Sequence, residues 1–325
     1  MNSINVAILR GGTSNEHEIS LKSGMHVLQQ FPREQYTVRD IYIDRNGTWH
    51  ERGLPTTPDR VLPTTDVAMI LLHGSPSDES SMQHLLEKYG IPYIGASTHH
   101  AHMAKHKVLA KEHARALGVK TAKYQFIEQG DEVDVKVREA VRSFIQPVIV
   151  KPVTGGSSVG TTLASGFADV HKAVTGLFAD GAQGVLIEEY IKGREASVGV
   201  VEGLRGTDLY TLPVVEIIPH DGIFSYEAKY SGASTELCPG KFSDKEKEEL
   251  AEIARAVHTA TGQHHYSRTD FIVTPRGIYF LEINTASDVG LTKGSLMPRA
   301  LQAVGVSMAE FLSHIVGLAL AKQKR

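Results

Sequence analysis

The sequence has one cysteine, Cys238, and one tryptophan, Trp49. A single cysteine excludes an intrachain disulfide and any cysteine-rich metal centre. With no sulfur framework to maintain, a reducing cytoplasmic setting is expected. Long apolar runs are missing too, so no membrane-inserted segment is expected. The opening MNSINVAILRGG lacks a basic leader followed by an extended apolar stretch, so a signal peptide is not expected. There is no surplus of positive charge: 34 Lys and Arg stand against 37 Asp and Glu, a net of −3. The overall charge calls for neither nucleic acid nor an anionic membrane as partner. Neither common nucleotide fingerprint, GxxxxGK[ST] or GxGxxG, is present. Internal repeats and low-complexity linkers are absent as well.

What is present is a strongly punctuated α/β pattern. With 325 residues, 41% hydrophobic and 22% charged, the chain is long enough for two or three domains. INVAIL, the turn RGGTSN and the helical EHEISLKSGMHVLQQF read as strand, glycine turn and helix. VAMILLHG at 67–74, a helix around Met82–Tyr89 and IPYIG at 91–95 repeat the unit. In such open sheets ligands collect at the carboxyl ends of strands, where Glu16, Ser20 and His73 fall. HMAKHKVLAKEHARALGV reads as one basic helix closed by Gly118. Strands at 147–151 and 185–191 flank a helix with Phe167, Val170, Val174 and Leu177 on one face. SDKEKEELAEIARAVHTATG carries a candidate capping box, Ser243 with Glu246, and a last helix starts at Ser307 with Glu310. The expected fold is α/β and α+β, divided as 1–100, 101–192 and 193–325.

Two constellations carry chemistry. RTDFIV, TPRG and IYFLEIN form a hairpin signal. If Thr274 pairs with Ile278 around a three-residue turn, Asp270 faces Glu282 and Arg268 faces Asn284. By parity Ile278 and Phe280 share that face nearer the turn. Two carboxylates and an amide oxygen suit Mg²⁺ and not structural zinc; the alternative is a solvated face with a salt bridge to Arg268. The second constellation is KPVTGGSSVG at 151–160, a small-residue loop after an apolar strand. Its backbone can approach phosphate closely, with Ser157 and Ser158 as hydroxyl donors. Lys107, Lys151 and Lys229 supply positive charge from three segments. Glu195 can accept from ribose hydroxyls, and the edge segment Glu188–Ile191 can present backbone groups to adenine. Lys107 on a solvated helix face, and Glu195 paired with Lys192 or Arg194, remain open as alternatives.

With these residues in place the chain resembles the D-alanine–D-alanine ligases of the ATP-grasp superfamily nearly end to end. The matching stretches run in the family's order: GGTSNEHEISLKSG, HKVLAKEHARALGV, PVIVKPVTGGSSVG, VLIEEYIKGREASVGV, SYEAKYSGASTELCP, SRTDFIV, FLEINT and GSLMP. The resemblance implies an ATP-grasp fold with an N-terminal open α/β domain, and an enzyme using ATP and Mg²⁺, with Mn²⁺ able to take the same place. It implies two D-alanine substrates, peptidoglycan precursor synthesis, cytoplasmic location and a homodimer. Lys107 and Lys151 then match phosphate lysines; Glu188, Glu189, Tyr190 and Ile191 match the adenine hinge; Glu195 matches the ribose carboxylate. Asp270, Glu282 and Asn284 match the magnesium ligands. Glu16 matches the carboxylate on the first substrate's ammonium, with Ser157 and Tyr230 as its companions and His73 nearby. Arg268 and Gly290 match the oxyanion pocket, Lys229 the lysine over the transferring phosphate, and Ser295 and Leu296 the second-substrate pair. Tyrosine at 230, where lactate-using relatives tend to carry phenylalanine, argues for an amine nucleophile.

The chain also departs from the family. HGSPSDESSMQ replaces HGxxGEDG, with Asp78–Glu79 in reversed order. The usual aspartate before the first phosphate lysine is His106, and the usual glutamate before GSSVG is Gly155. NTASDVGLTKGSL is two residues longer than the family's stretch before serine–leucine and lacks its proline. The expected alternatives follow: a second substrate such as D-serine, D-lactate or another amino acid, or an ATP-binding relative with impaired catalysis.

Overall fold

The computed structural model describes residues 3–73, 76–156, 159–219 and 234–322. In chain order the strands are β1 (Ile4–Gly11), β2 (Tyr36–Ile43), β3 (Trp49–Glu51), β4 (Leu54–Thr56), β5 (Val67–Ile70), β6 (Tyr93–Ile94), β7 (Lys120–Thr121), β8 (Tyr124–Glu128) and β9 (Val148–Pro152). They continue as β10 (Thr162–Ala164), β11 (Gly184–Glu189), β12 (Arg194–Glu202), β13 (Leu209–Thr211), β14 (Val215–Pro219), β15 (Ser234–Leu237), β16 (Tyr266–Thr274) and β17 (Gly277–Asn284). The helices are α1 (His17–Gln30), α2 (Pro58–Val61), α3 (Pro76–Lys88), α4 (Thr98–Lys105), α5 (Lys107–Ala116), α6 (Val133–Ser143), α7 (Gly166–Ala179), α8 (Asp244–Ala260), α9 (Leu296–Ala303) and α10 (Met308–Lys322).

The first sheet has the order β4-β3-β2-β1-β5-β6, with β1 parallel to both neighbours. Successive side chains of β1 point to opposite faces. Val6 and Ile8 join a core with Val27 and Leu28 of α1, Phe31 just after it, and Leu301, Phe311 and Leu312 of α9 and α10. Ala7 and Leu9 pack on the other side with Trp49, Leu62, Met82 and Leu86. Burial on both faces explains the unbroken apolar run. After β1 the backbone turns at Gly11, φ 98°, where an added Cβ would lie 2.1 Å from the Ile43 carbonyl oxygen. Only glycine fits this approach.

The second sheet, β10-β9-β11-β8, is antiparallel and carries α6 and α7 on one face, where Val137, Val170 and Val174 are buried. The third runs β15-β14-β12-β16-β17-β7, with β13 on β12. Its outer face is covered by α5 and α8, through Ala110, Ala114, Leu250, Ala254 and Val257 against Val198, Phe271, Phe280 and Ile283. Ser243 and Glu246 form the expected reciprocal cap on α8. Ser307 and Glu310 do the same ahead of α10. The inner faces of the second and third sheets border a cleft.

Three expectations are corrected. The basic segment after Ser97 is two helices and not one, broken at His106, whose ψ of 99° is extended. His106 Nδ1 accepts from the Leu109 N–H at 3.4 Å, so His106 caps α5. That cap makes Lys107 the first residue of α5. Second, Glu188 and Glu189 do not sit at a sheet edge: β11 is flanked by β9 and β8, and only Tyr190 and Ile191 run past the strand. Third, the β16–β17 hairpin turns between Thr274 and Gly277, one residue earlier than expected. Among the described residues no single helix is long and apolar enough to cross a membrane, and the bent pair α9–α10 is partly buried on the first sheet.

Candidate active site

The β16–β17 hairpin closes more tightly than expected. Thr274 pairs with Gly277, not with Ile278, leaving a two-residue turn. A bulge then restores the expected partners: Phe271 pairs with Phe280, but Asp270 pairs with Glu282 and Arg268 with Asn284. Leu281 is the extra residue, and it exchanges the faces on either side of it. Ile278 and Phe280 therefore do not share the face of Glu282; both are buried in the core beneath the sheet, while Leu281 and Glu282 line the cleft.

On that inner face Asp270 is the hub. Ser197 Oγ donates to its Oδ1 at 2.6 Å, and Asn284 Nδ2 donates to its Oδ2 at 3.0 Å. Arg268 grips both oxygens, at 3.0 Å and 2.8 Å. Among the described residues Glu282 has a longer ion pair, 3.9 Å to Lys107 Nζ. Among the described residues no group of three or more His, Cys, Asp and Glu side chains has an arrangement that could hold a metal ion. The candidate metal set is two carboxylates and a carboxamide, all oxygen donors of the kind a hard divalent cation takes. The charge of the two carboxylates is offset by Arg268 and Lys107, so the pair is stable side by side.

The nucleotide candidates converge on the same cleft. Lys107, Lys151, Glu188, Glu189, Tyr190, Ile191, Glu195, Asp270 and Glu282 all line it. Lys107 Nζ donates to the Gly155 carbonyl at 2.7 Å, tying α5 to the glycine loop. Burial holds the Lys107 ammonium below the ordinary lysine range, against the pull of Glu282. Lys151 Nζ lies 3.1 Å from Glu188 Oε2, and Lys111 Nζ lies 3.2 Å from Glu188 Oε1. Burial pushes the Glu188 carboxyl up, but the two lysines outweigh it and hold it below the ordinary range. Glu189 is occupied differently: its Oε1 accepts from the Lys123 N–H at 3.0 Å, locking β11 to the segment before β8.

Lys111 was not singled out in the sequence, because a lysine in a basic helix reads as solvated. Its signal was the spacing: Lys107, Ala110, Lys111 and Ala114 form one buried face at intervals of three and four. Burial pushes its ammonium down to about 8, against the attraction of Glu188. Between that value and the reference 10.5 the unfolded chain holds a proton that the folded chain releases, so stability rises with pH across this window. Relative to Lys111→Met, the protein is expected to gain about 3 kcal/mol from the bottom to the top of that window. Denaturant midpoints at the two ends check it; parallel profiles would remove Lys111 as a buried charge.

The loop after β1 borders an adjoining pocket on the other side of the glycine loop, lined by Ser14, Glu16, Gly155 and Gly156. Ser20 Oγ links the Gly11 N–H to the Leu71 carbonyl, and Ser14 Oγ donates to the His73 carbonyl at 2.6 Å. These bonds bring Glu16 and His73 together. Glu16 is 5% exposed and its Oε1 would lie 3.3 Å from a Cβ at Gly156, so it faces the glycine loop. Burial pushes the His73 imidazole to about 4, with Asp288 opposing and Lys105 and Arg268 reinforcing. His73 is therefore neutral at pH 7, and its Nε2 has no hydrogen-bond partner among the described residues.

The segment after Asn284 absorbs its extra length in a turn: the N–H groups of Asp288 and Val289 donate to the Thr285 carbonyl at 2.9 and 3.0 Å. Ala286, Val289 and Leu291 are buried in the core below. Gly290 ends against Ser295, whose Oγ would be 2.9 Å from a Cβ at Gly290. Ser295 Oγ also meets Thr292 Oγ1 at 2.7 Å, and Leu296 begins α9, 8% exposed. The longer loop thus keeps Gly290 and Ser295 in contact. Ser157, Ser158, Lys229 and Tyr230 lie outside the described residues.

Two sheets, one antiparallel and one antiparallel but for β7, border this donor set, and the similarities point to one family. Residues 5–60 match the D-ala D-ala ligase N-terminus and residues 114–317 the D-ala D-ala ligase C-terminus. The chain belongs to the D-alanine–D-alanine ligase family. A D-alanine--D-alanine ligase of Syntrophobacter fumaroxidans is 36% identical, covering 98% of each chain. The D-alanyl-alanine synthetase A structure from Vibrio cholerae superposes with a TM-score of 0.87 at 28% identity, over 99% of this chain and 100% of that one. The VanG D-Ala:D-Ser ligase of Enterococcus faecalis superposes with a TM-score of 0.84 at 25% identity, over 98% and 100% of the two chains. The fold is accordingly the ATP-grasp fold of this family of ATP-dependent ligases.

Proposed function

We propose that the protein joins two D-alanines through an acylphosphate, with ATP as phosphoryl donor, in peptidoglycan precursor synthesis. The observation that carries this reading is the single cleft in which Lys107, Lys151, Glu195, Asp270 and Glu282 converge. A carboxylate is a poor electrophile, and phosphorylation gives it a leaving group. Lys107 and Lys151 offset phosphate charge, and Glu195 accepts from the ribose hydroxyls. Asp270, Glu282 and Asn284 would hold Mg²⁺, which supplies Lewis-acid neutralisation of the transferring phosphoryl group. Glu16 binds the ammonium of the first D-alanine; neutral His73 beside it adds no competing positive charge. Arg268 stabilises the oxyanion with Gly290, and Ser295 with Leu296 receives the second D-alanine. Ser157, Ser158, Lys229 and Tyr230 are assigned by resemblance to closing the site over the acylphosphate, which open water would hydrolyse.

The proposed domain limits, 1–100, 101–192 and 193–325, draw support from the three sheets, whereas β7 and α9–α10 cross between them. A cytoplasmic homodimer completes the proposal.

The test is ATP- and divalent-cation-dependent phosphate release with D-alanine as sole amino acid, with product mass read in parallel. A D-alanyl-D-alanine mass is expected. Phosphate release that ignores a second D-alanine and requires D-serine or D-lactate would overturn the choice of second substrate.

A further inference from the structure

A buried ionic cluster borders the site that none of these roles uses. Lys105, the last residue of α4, has a side chain only 6% exposed. Its ammonium pairs with Glu79 of α3 on one side and lies 3.1 Å from Asp288 Oδ1 on the other. Glu79 is 4% exposed and Asp288 12%. An ammonium so enclosed stays in place only with countercharge at contact distance. Burial alone would discharge it, but Asp288 and Glu79 together push it above the ordinary lysine range. The cluster therefore joins three separate segments by charge: α3, α4 and the loop after β17.

The attachment point on that loop is informative. Asp288 Oδ2 accepts from Thr285 Oγ1 at 3.0 Å, so the same carboxylate fixes the start of the turn and reaches across to α4. Gly290 follows two residues later. Further along, His26 Nδ1 donates to the Leu291 carbonyl at 2.6 Å, and Tyr266 Oη donates to the Ala286 carbonyl at 2.9 Å. The stretch 285–295 contains no proline, so its shape depends on these outside attachments. The backbone attachments are hydrogen bonds to carbonyl oxygens; the Lys105 clamp is an ion pair.

We propose that Lys105, held between Glu79 and Asp288, is a positioning residue that fixes the 285–295 loop and thereby the second-substrate pocket at Gly290 and Ser295. This rests on the second-substrate assignment given above. Lys105 touches no reacting atom: it acts through Asp288. The pocket depends on geometry set from outside it, since Gly290 and Ser295 lie on one continuous loop whose displacement moves both.

Asp288→Asn tests this, because it keeps the side-chain shape and leaves the Lys105–Glu79 pair to support folding. KM for the second D-alanine is expected to rise about tenfold, while KM for ATP and for the first D-alanine stays within about twofold. Amide hydrogen exchange over 285–291 is expected to accelerate in the same variant. Lys105→Arg, which keeps the charge, is expected to restore most of the second-site affinity lost in Lys105→Met. Unchanged exchange in Asp288→Asn, or equal weakening of ATP and both D-alanines, would overturn the proposal. The two readings separate cleanly: failure of the unmodified protein to make the dipeptide sinks the pocket assignment, while loop exchange still decides whether the clamp orders the loop.

Discussion

Glu282→Gln is expected to lower turnover by roughly 10²–10³-fold without a comparable loss of thermal stability. The asymmetry follows from what Glu282 touches. Its ion pair with Lys107, the one among the described residues, is 3.9 Å long, and its side chain is 23% exposed, so the fold gains little from its charge. In the proposed metal set it is one of only two anionic donors, and glutamine keeps the shape while removing half of that negative charge. Raising the Mg²⁺ concentration should recover part of the rate. A second signature is expected in the pH profile. Glu282 is the largest influence raising the Lys107 ammonium against its burial. Without it Lys107 loses its proton at lower pH, so the alkaline limb of the activity profile should move down. Full turnover at limiting Mg²⁺ would exclude Glu282 from the metal set.

Arg268→Lys is expected to reduce kcat roughly 10²-fold while KM for ATP changes little. Arginine presents a rigid fork that grips a carboxylate through two parallel bonds; lysine presents a point charge and cannot reproduce it. Asp270 would lose its two bonds from Arg268, but Ser197 at 2.6 Å and Asn284 at 3.0 Å still hold it. The metal set should therefore persist, and the loss should fall on the step in which an oxyanion develops. Initial rates varied in ATP and D-alanine separate the cases. A large rise in KM for ATP at constant kcat would reduce Arg268 to a support for Asp270.

The family-level architecture was legible in the sequence because it is carried by patterns local in the chain: apolar strands, glycine turns, two capping boxes and the order of the motifs. The hairpin shows where local reading stops. Pairing of Asp270 with Glu282 was anticipated, but through the wrong turn, and the two-residue turn reaches the same partners only because Leu281 is bulged. A strict period of two has no means of marking an extra residue, so Phe280 was placed on the wrong face. The helix break and cap at His106 escaped notice for a related reason: the apolar and basic period runs through the break, and only the extended ψ reveals the cap. Lys105, Lys111, Glu79 and Asp288 illustrate a different limit. Charged residues are read as solvent-facing unless something opposes them, and their countercharges come from distant segments that meet only in the folded chain. For the same reason Ser197, which bonds to Asp270, carried no signal of its own.

The packing of α9 and α10 on the first sheet ties events at opposite ends of synthesis. Val6 and Ile8 emerge from the ribosome long before Phe311 and Leu312, yet they share one core. Until α10 arrives to pack on α1, β5 and β6, that layer is covered by α1 alone, and the turn carrying Glu16 rests on an incomplete support. An incomplete chain ending before Leu296 would already contain every nucleotide and metal candidate and still lack the helices that complete the layer beneath the turn of Glu16, the proposed ammonium site. On the proposed roles, the segments for nucleotide and metal are complete in the chain before the support of the proposed acceptor site is, and the two halves of the site depend on different stretches of synthesis.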